Sequence, residues 1–389
     1  MEKLVTSQFK LGIIGGGQLG KMLSLAASNW DVKTYILDPD DQCPAAPCST
    51  QVVVGDPQNF DDVYRFGQQV DMVTYELEAI NTEALKRLKK EGTPVLPEPD
   101  TLEIIQDKGL QKRFFSDHEI PSSAYSLFND KAEILSALDR GDLAFPFVQK
   151  LRRGGYDGRG VSLIRSQAEL EHLFDAPSVV EDLVAIDKEI SVIAARNQQG
   201  EVKCFPVAEM EFNEQANLVE LLICPSPIGN DIHQRAEAIA FQVIESLEMT
   251  GLLAIEMFLD TSGRLWVNEV APRPHNSGHH TIESVVTSQY EQLLRSIFGF
   301  PLGSTRIKMP SAMINLLGEP NIEGPVKYEG LSQCMSEEGV KIHLYGKKIT
   351  RPFRKMGHIT ILAQTIEEAR AKAKTVQQHL KVTSWKSQS

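Results

Sequence analysis

The chain has 389 residues, 42% hydrophobic and 24% charged, enough for two or three domains that each bury a core. Forty lysines and arginines against 52 acidic residues leave a net charge of −12. That balance argues against a non-specific binder of nucleic acid or anionic membrane, so any anionic substrate must be met by local basic clusters.

The five cysteines, Cys43, Cys48, Cys204, Cys224 and Cys334, are scattered and form no CxxC pair. Neither a zinc site nor a disulfide framework is indicated, and a reduced cytoplasmic setting is expected. Met1 to Lys10 lack the apolar stretch of a secretion signal, and no apolar run is long enough to span a bilayer.

From Leu11 strand-like and helix-like segments alternate: Leu11 to Ile14, a helix from about Gln18 to Ser28, then Lys33 to Leu37. Val52 to Val54, Met72 to Tyr75 and Val95-Leu96 continue the rhythm, with a helix over Thr82 to Lys90. This is a βαβ pattern and predicts a parallel sheet. Gly15-Gly16-Gly17-Gln18-Leu19-Gly20 follows the first strand, and Asp38 ends the next. The spacing matches a dinucleotide fingerprint, although bare amides at a helix N-terminus suit any anion, and a tight structural turn has the same glycines. Pro94, Pro97 and Pro99 suggest a boundary near residue 100.

The second region, about 101–297, mixes strands and helices. It includes an amphipathic helix with Ile232, Ala236, Ile239, Val243 and Leu247 on one stripe. Within it Lys150-Leu151-Arg152-Arg153-Gly154-Gly155-Tyr156-Asp157-Gly158-Arg159-Gly160 interleaves glycines with cations. Such a loop can close backbone amides and positive charge over a polyphosphate, and no Gly-Lys-Ser/Thr follows to make it a Walker A loop. Glu181-Asp182-Leu183-Val184 and Glu189 to Val192 read as an edge strand, a loop and a second strand, able to offer main-chain groups to an adenine and acids to a ribose.

Leu252 to Leu259 and Arg264 to Ala271 form a hairpin around a polar turn that contains Gly263. Glu256 and Glu269 are symmetric about that turn and face each other. Their apolar neighbours imply burial, so the like charges ask for a cation, and oxygen-only ligands suit Mg²⁺. Residues 271–280 then place Arg273, His275 and Asn276 beside the pair. The last region, 298–389, reads as short strands (Ala312 to Leu316, Lys341 to Tyr345, His358 to Leu362) and a helix, Ile366 to Leu380. Five cations between Lys347 and Lys355 mark a second basic cluster suited to a phosphate ester.

Together the glycine-rich basic lid, the Glu181 to Val184 segment and the Glu256/Glu269 pair with Asn268 resemble the ATP-grasp enzymes. GGGQLG at 15–20, NEVAPRPHNSGHHT at 268–281 and RKMGH at 354–358 narrow the likeness to the N5-carboxyaminoimidazole ribonucleotide synthetase family of purine biosynthesis. The resemblance runs from about Leu11 to Leu362.

It implies an α/β and α+β architecture in three parts: a Rossmann-like parallel-sheet domain at 1–100, a central ATP-grasp domain at 101–297 with a lid at about 120–185, and a small β-rich C-terminal domain at 298–389. It further implies carboxylation of 5-aminoimidazole ribonucleotide with ATP and bicarbonate through carboxyphosphate, with Mg²⁺ as cofactor and Mn²⁺ as an alternative, in a cytoplasmic homodimer.

By the same resemblance Lys108, Lys150, Gly155, Tyr156, Asp157, Gly158, Arg159, Gly160, Val161, Glu181, Asp182, Leu183, Val184, Glu189, Asn268 and Glu269 belong to the ATP site. Glu256 and Glu269 are the metal ligands, and Arg273, His275, Asn276 and Lys347 the bicarbonate pocket. Gln18, Leu19, Glu76, Tyr156, Asp157, Arg159, Lys347 and Arg354 fall in the ribonucleotide site, with Arg354 on the 5′-phosphate. Lys108 stands where the family usually has arginine, Phe212 where histidine is common, Val161 for a glutamine and Asp182 for a glutamate.

Two other readings compete with this one. A formate-dependent glycinamide ribonucleotide transformylase also opens on a glycine-rich turn, and an NAD-dependent oxidoreductase would explain only the first forty residues. A non-catalytic nucleotide-binding regulator is a third, against which the intact acid pair weighs.

Overall fold

The computed structural model describes residues 6–155, 160–213 and 218–385. Apolar runs near its start become four strands, β1 (Lys10–Ile14), β2 (Lys33–Asp38), β3 (Gln51–Val54) and β4 (Met72–Tyr75). All their pairings are parallel, in the order β3-β2-β1-β4. The inner strand β1 and its neighbour β4 are buried along nearly their whole length, as expected of a parallel sheet covered on both faces.

The helices that cover it are α1 (Gln18–Ser28), α2 (Phe60–Gly67) and α3 (Thr82–Lys90). Asn59 and Asn81 cap the last two by accepting from the amides of Asp62 and Ala84. The strand expected at Val95-Leu96 shrinks to a single bridge between Val95 and Val73, because the flanking prolines have no N–H to extend a ladder.

Two helices lead into the centre of the molecule, α4 (Pro99–Gln106) and α5 (Lys108–Asp117). A four-stranded antiparallel sheet follows: β5 (Tyr125–Phe128), β6 (Phe147–Leu151), β7 (Val161–Ile164) and β8 (Ser178–Asp182), ordered β5-β8-β6-β7. Its strand β8 was expected at an edge but lies in the interior between β5 and β6. The run Ser178 to Glu181 is buried throughout, the burial pattern of a strand covered on both faces.

The larger sheet is built from β9 (Ile186–Arg196), β10 (Val202–Cys204), β11 (Ala208–Asn213), β12 (Leu218–Cys224), β13 (Gly251–Asp260), β14 (Leu265–Ala271) and β15 (Ser311–Leu317). After β16 (Gly324–Glu329) come β17 (Val340–Leu344), β18 (Ile349–Thr350) and β19 (Lys355–Leu362). The order is β14-β13-β9-β11-β12-β15-β19-β17, with β10 on β9. The pairing of β12 with β15 makes the C-terminal strands an extension of the central sheet.

One core cluster joins Leu11, Ile13 and Leu23 of the first layer to Ile193, Ala195 and Leu252 of the large sheet and to Leu293, Leu294 and Ile297 of the helix Gln289–Ile297. Each of the leucines and isoleucines contributes about 1.5–3 kcal/mol of transfer free energy. Separating the layers would expose them, so the first layer and the large sheet hold a fixed relation.

The turn between β13 and β14 is organised by Asp260. Its Oδ1 accepts from the amides of Ser262 and Arg264 at 2.8 and 2.9 Å and from the Ser262 hydroxyl at 2.6 Å, while Oδ2 accepts from Trp266 Nε1 at 2.9 Å. Gly263 takes the positive φ of +82° that a side chain would resist. The Ser262 and Trp266 side chains hold the Asp260 carboxyl well below the usual carboxylate range. A depressed carboxylate stabilises the fold above its unfolded pKa of about 4, and that support is lost as pH falls through the folded value. We expect Asp260→Asn to melt below the wild type at pH 7, with the gap closing in scans below about pH 4; an undiminished gap at low pH would contradict the ionised anchor.

Candidate active site

The hairpin turn sets a register that pairs Leu259 with Leu265, Phe258 with Trp266 and Met257 with Val267. Continued unchanged, it would put Glu256 opposite Asn268. Instead a β-bulge takes up Asn268 as an extra residue, and Glu256 pairs with Glu269. The two carboxylates therefore share a face, and the neighbouring strand places Ser191 opposite Glu256 and Glu189 opposite Phe258.

Like charges so placed raise each other's cost of ionisation unless cations intervene. Lys108, the first residue of α5, pairs with Glu269 and keeps its carboxyl well below the ordinary range. Burial and then the charge of Glu269 push Glu256 the other way. Its Oε1 lies 3.2 Å from His275 Nε2. Glu189 is pushed up to about 7 by burial.

Lys150 on β6 reaches across from the smaller sheet. Its Nζ donates to Asn268 Oδ1 at 2.8 Å and to Glu181 at 3.2 Å. Glu181 is 4% exposed and also accepts from the Ser123 hydroxyl at 2.6 Å. Behind it the buried Lys112 donates to Ser123 at 2.9 Å, and burial brings its ammonium down to about 8. Burial would raise the Glu181 pKa, but Lys150 and Lys112 outweigh it and the carboxylate stays below its ordinary range. Residues 183–185 then link β8 of one sheet to β9 of the other, with Leu183 42% exposed, Val184 half-buried and Asp182 at the surface.

The glycine-rich lid is described only at its ends. Gly160 takes a positive φ, its carbonyl accepts from Leu151 N, and it sits against Gly155, with Val161 exposed at the start of β7. Tyr156, Asp157, Gly158 and Arg159 lie outside the described residues. Two of the lid's arginines are engaged elsewhere: Arg152 forms a two-pronged pair with Asp107, both contacts at 2.9 Å, and Arg153 approaches it at 3.3 Å. Asp107 in turn caps α5 through the amides of Gly109 and Leu110. This joins the root of the lid to the helix that presents Lys108.

On the other side of the acid pair the 271–280 loop is pinned by Gln289, which accepts from the His275 amide and donates to the His275 carbonyl, both at 2.8 Å. His275 Nδ1 meets the Ser277 hydroxyl at 2.9 Å. Arg273 pairs with Glu78 at 2.7 Å, and Asn276 exchanges amide hydrogen bonds with Asn315.

The glycine turn at 15–17 is already filled by the chain itself. Asp38 accepts from Gly16 N at 2.8 Å and Glu76 from Gly17 N at 2.7 Å. A pyrophosphate would have to displace both carboxylates, so the dinucleotide reading of this turn fails. Burial pushes Glu76 up to about 7 against the pull of the Gly17 amide, Arg273 and Lys347. This carboxyl thus joins the glycine turn, the 271–280 loop and the second basic cluster.

Gln18 begins α1 beside it and is partly exposed, whereas the Leu19 side chain packs in the core at 6% exposure, leaving only its main chain for a ligand. Lys347 Nζ donates to the Lys355 carbonyl at 2.8 Å, and Arg354 Nη1 to the Ile349 carbonyl at 2.6 Å. Lys355 was not singled out in the sequence, yet its charge acts directly on Glu256. The available signal was its place at the head of β19, where alternation sends neighbouring side chains to different sides.

Paired sheets, an acid pair on one, a lysine from the other and a second from α5, with a glycine-rich connection between β6 and β7 of the smaller sheet, define an ATP-grasp enzyme. Accordingly, the model of the ATP-grasp domain matches residues 113–290, flanked by the ribonucleotide synthetase preATP-grasp domain at 8–106 and the phosphoribosylaminoimidazole carboxylase C-terminal domain at 311–372. The N5-carboxyaminoimidazole ribonucleotide synthase of Bacillus subtilis is 35% identical over 363 residues, covering 92% of each chain. The chloroplastic phosphoribosylaminoimidazole carboxylase of Vigna aconitifolia is 37% identical over 92% of this chain, which spans only 64% of that longer protein. The crystal structure of the Thermotoga maritima synthetase superposes with a TM-score of 0.89 at 42% identity, covering 97% of this chain and all of that one. The chain belongs to the N5-carboxyaminoimidazole ribonucleotide synthetase family.

Glu76 yields a pH signature. A carboxyl that holds its proton more tightly when folded favours folding most below its unfolded pKa of about 4 and gives that stability up as pH rises towards 7, by up to about 3 kcal/mol. Glu76→Gln keeps an acceptor for Gly17 and has no such loss. We expect the melting temperature of Glu76→Gln to gain on the wild type between pH 5 and 8; a constant or shrinking difference would contradict the raised carboxyl.

Proposed function

We propose that this chain carboxylates the amine of 5-aminoimidazole ribonucleotide, consuming ATP and bicarbonate and releasing ADP and phosphate. A bicarbonate oxygen attacks the γ-phosphorus and ADP leaves, giving carboxyphosphate. The ribonucleotide amine then takes the carboxyl carbon, phosphate departs, and the nitrogen loses a proton. The observation that carries the reading is the bulged pairing of Glu256 with Glu269 between Lys108 and Lys150 on one side and His275 on the other.

Lys108 and Lys150 hold the ATP phosphates. The lid from Gly155 to Val161 closes over them, and the 181–184 segment with Glu189 receives adenosine. Carboxyphosphate is short-lived in water, so closing the lid protects as well as orients it. Arg273, His275, Asn276 and Lys347 hold bicarbonate against the γ-phosphate, which lowers the entropic cost of attack. The ribonucleotide lies over Gln18, Leu19 and Glu76, with Lys347 and Arg354 towards its phosphate and Tyr156, Asp157 and Arg159 above it.

The donor set suits Mg²⁺: two carboxylates on one face, one of them resisting ionisation through burial first and then the charge of the other. Glu256 and Glu269, with Asn268 between them, would hold the ion, which when bound neutralises phosphate charge and orients the terminal group. Solved relatives support the small-molecule assignment: that of Aspergillus clavatus, 29% identical over 96% of this chain and 98% of that one, with a TM-score of 0.86, was crystallised with ADP and 5-aminoimidazole ribonucleotide. Family membership supports a cytoplasmic homodimer. No helix among the described residues is long and apolar enough to cross a membrane.

The test is ADP release with each one-carbon acid. It should require both 5-aminoimidazole ribonucleotide and bicarbonate for full rate, and formate should not replace bicarbonate; formate-driven release with glycinamide ribonucleotide would overturn the reading in favour of the transformylase. Glu269→Gln should lower kcat by about a hundredfold or more while the melting temperature stays near that of the wild type. Near-normal turnover in that variant would remove the acid pair from the chemistry.

A further inference from the structure

The C-terminal strands bring a row of polar side chains beneath the 271–280 loop. Asn315 on β15 is in register with His358 on β19, which is in register with His343 on β17. The His358 ring lies 4.6 Å from that of His279, and the stack continues to His343 at 4.4 Å. Asn315, 8% exposed, is the member that touches a residue assigned above to the bicarbonate pocket.

Its amide orientation is fixed from behind. Asn315 Nδ2 donates to the Val219 carbonyl at 2.8 Å, an acceptor that only the NH₂ end can satisfy. That leaves Asn315 Oδ1 to accept from Asn276 Nδ2 at 2.8 Å, and the second Nδ2 proton goes to Asn276 Oδ1 at 2.9 Å. Asn276 is therefore held in one of its two flip states. One of its Nδ2 protons and one Oδ1 lone pair are used, and one proton remains in a known direction. A flipped Asn276 would set NH₂ against NH₂ and oxygen against oxygen. Val219 belongs to β12 and Asn276 to the loop after β14, so the amide exchange ties the far half of the large sheet to the pocket.

We propose that Asn315 is a positioning residue for the reaction: it fixes the amide of Asn276 so that its remaining N–H meets bicarbonate in the geometry needed for attack on the γ-phosphate. The inference rests on the reading of Asn276 as a bicarbonate contact. ATP is held by residues on the other side of the acid pair, so Asn315 should leave nucleotide affinity alone.

A double-mutant cycle tests both levels. Asn315→Leu keeps the number and branching of the side-chain heavy atoms and removes the amide; we expect kcat/KM for bicarbonate to fall about tenfold, the size of one misplaced hydrogen bond, with the KM for ATP within about twofold of the wild type. In an Asn276→Ala background the same substitution should cost nothing further. Independent, multiplying losses, or an equal rise in the KM for ATP, would overturn the positioning role while leaving the pocket intact. If Asn276→Ala alone leaves bicarbonate dependence unchanged, the pocket assignment fails and the positioning role falls with it. Melting curves accompany each variant, and should Asn315→Leu not fold, Asn315→Ser is put through the same cycle and judged by the same outcomes.

Discussion

One extra residue in one strand governs the site. Without the bulge at Asn268, Glu256 would face an amide and Glu269 would lie off register. With it, two carboxylates are held side by side on one sheet face, Glu256 largely buried and Glu269 half exposed, where their like charges oppose ionisation. Much of the surrounding polar structure answers that placement: Lys108 from α5 on Glu269, Lys150 from β6 on the bulged Asn268 itself, and His275 on Glu256. The three partners come from three separate elements, so the acid pair helps decide how those elements meet. The same bulge turns the amide of Asn268 towards Lys150, which links the smaller sheet to the larger one through a side chain suited to ATP phosphate.

The N-terminal layer shows how a familiar local pattern can serve a different end. Gly15 to Gly20 has the spacing of a dinucleotide turn, and its helix N-terminus does attract negative charge. The charge comes from Asp38 and Glu76, on the ends of the strands that flank β1. Two acids at the mouth of a turn disfavour a pyrophosphate. They favour instead a ligand that brings donors, or one whose own anion lies further off, towards Lys347 and Arg354. Glu76 also feels Arg273 and Lys347, so a ligand that shifts those cations would change how readily the carboxyl ionises.

Local pattern carried the hairpin, the parallel first sheet and the glycine turn that opens α1, because alternation and turn residues act over a few residues. What it missed depends on distance. The plug at Gly17 comes from a residue 59 positions away. The segments that form β15, β17 and β19 were legible as strands, whereas β16 and β18 were not; membership of the three in the central sheet is decided by the pairing of β12 with β15, and no property of either segment alone specifies it. Counting about the turn gave the right partner for Glu256, although the turn's own register would have given Asn268; only the bulge reconciles the two. The second basic cluster was visible as charge, yet charge does not say which side a side chain faces, and Lys355 was passed over for that reason.

Extending the central sheet through β15, β19 and β17 has a mechanical consequence. On the proposed reading the glycine-rich segment covers ATP, and its root at Arg152 is tied to Asp107, the cap of the helix that carries Lys108. On the same reading the opposite wall offers bicarbonate fixed donors while the nucleotide is enclosed. Gln289 holds the main chain on both sides of His275, and the β15 to β17 extension lies under residues 276–279 with buried amides and stacked imidazoles. Burial holds the imidazoles of His279 and His358 well below their ordinary pKa, so these two rings bring no positive charge to compete with Arg273 and Lys347 for an anion. A floor braced by the Asn315–Asn276 amide pair and the buried rings of His279 and His358 would let the proposed pocket keep its aim on a small, weakly nucleophilic acid.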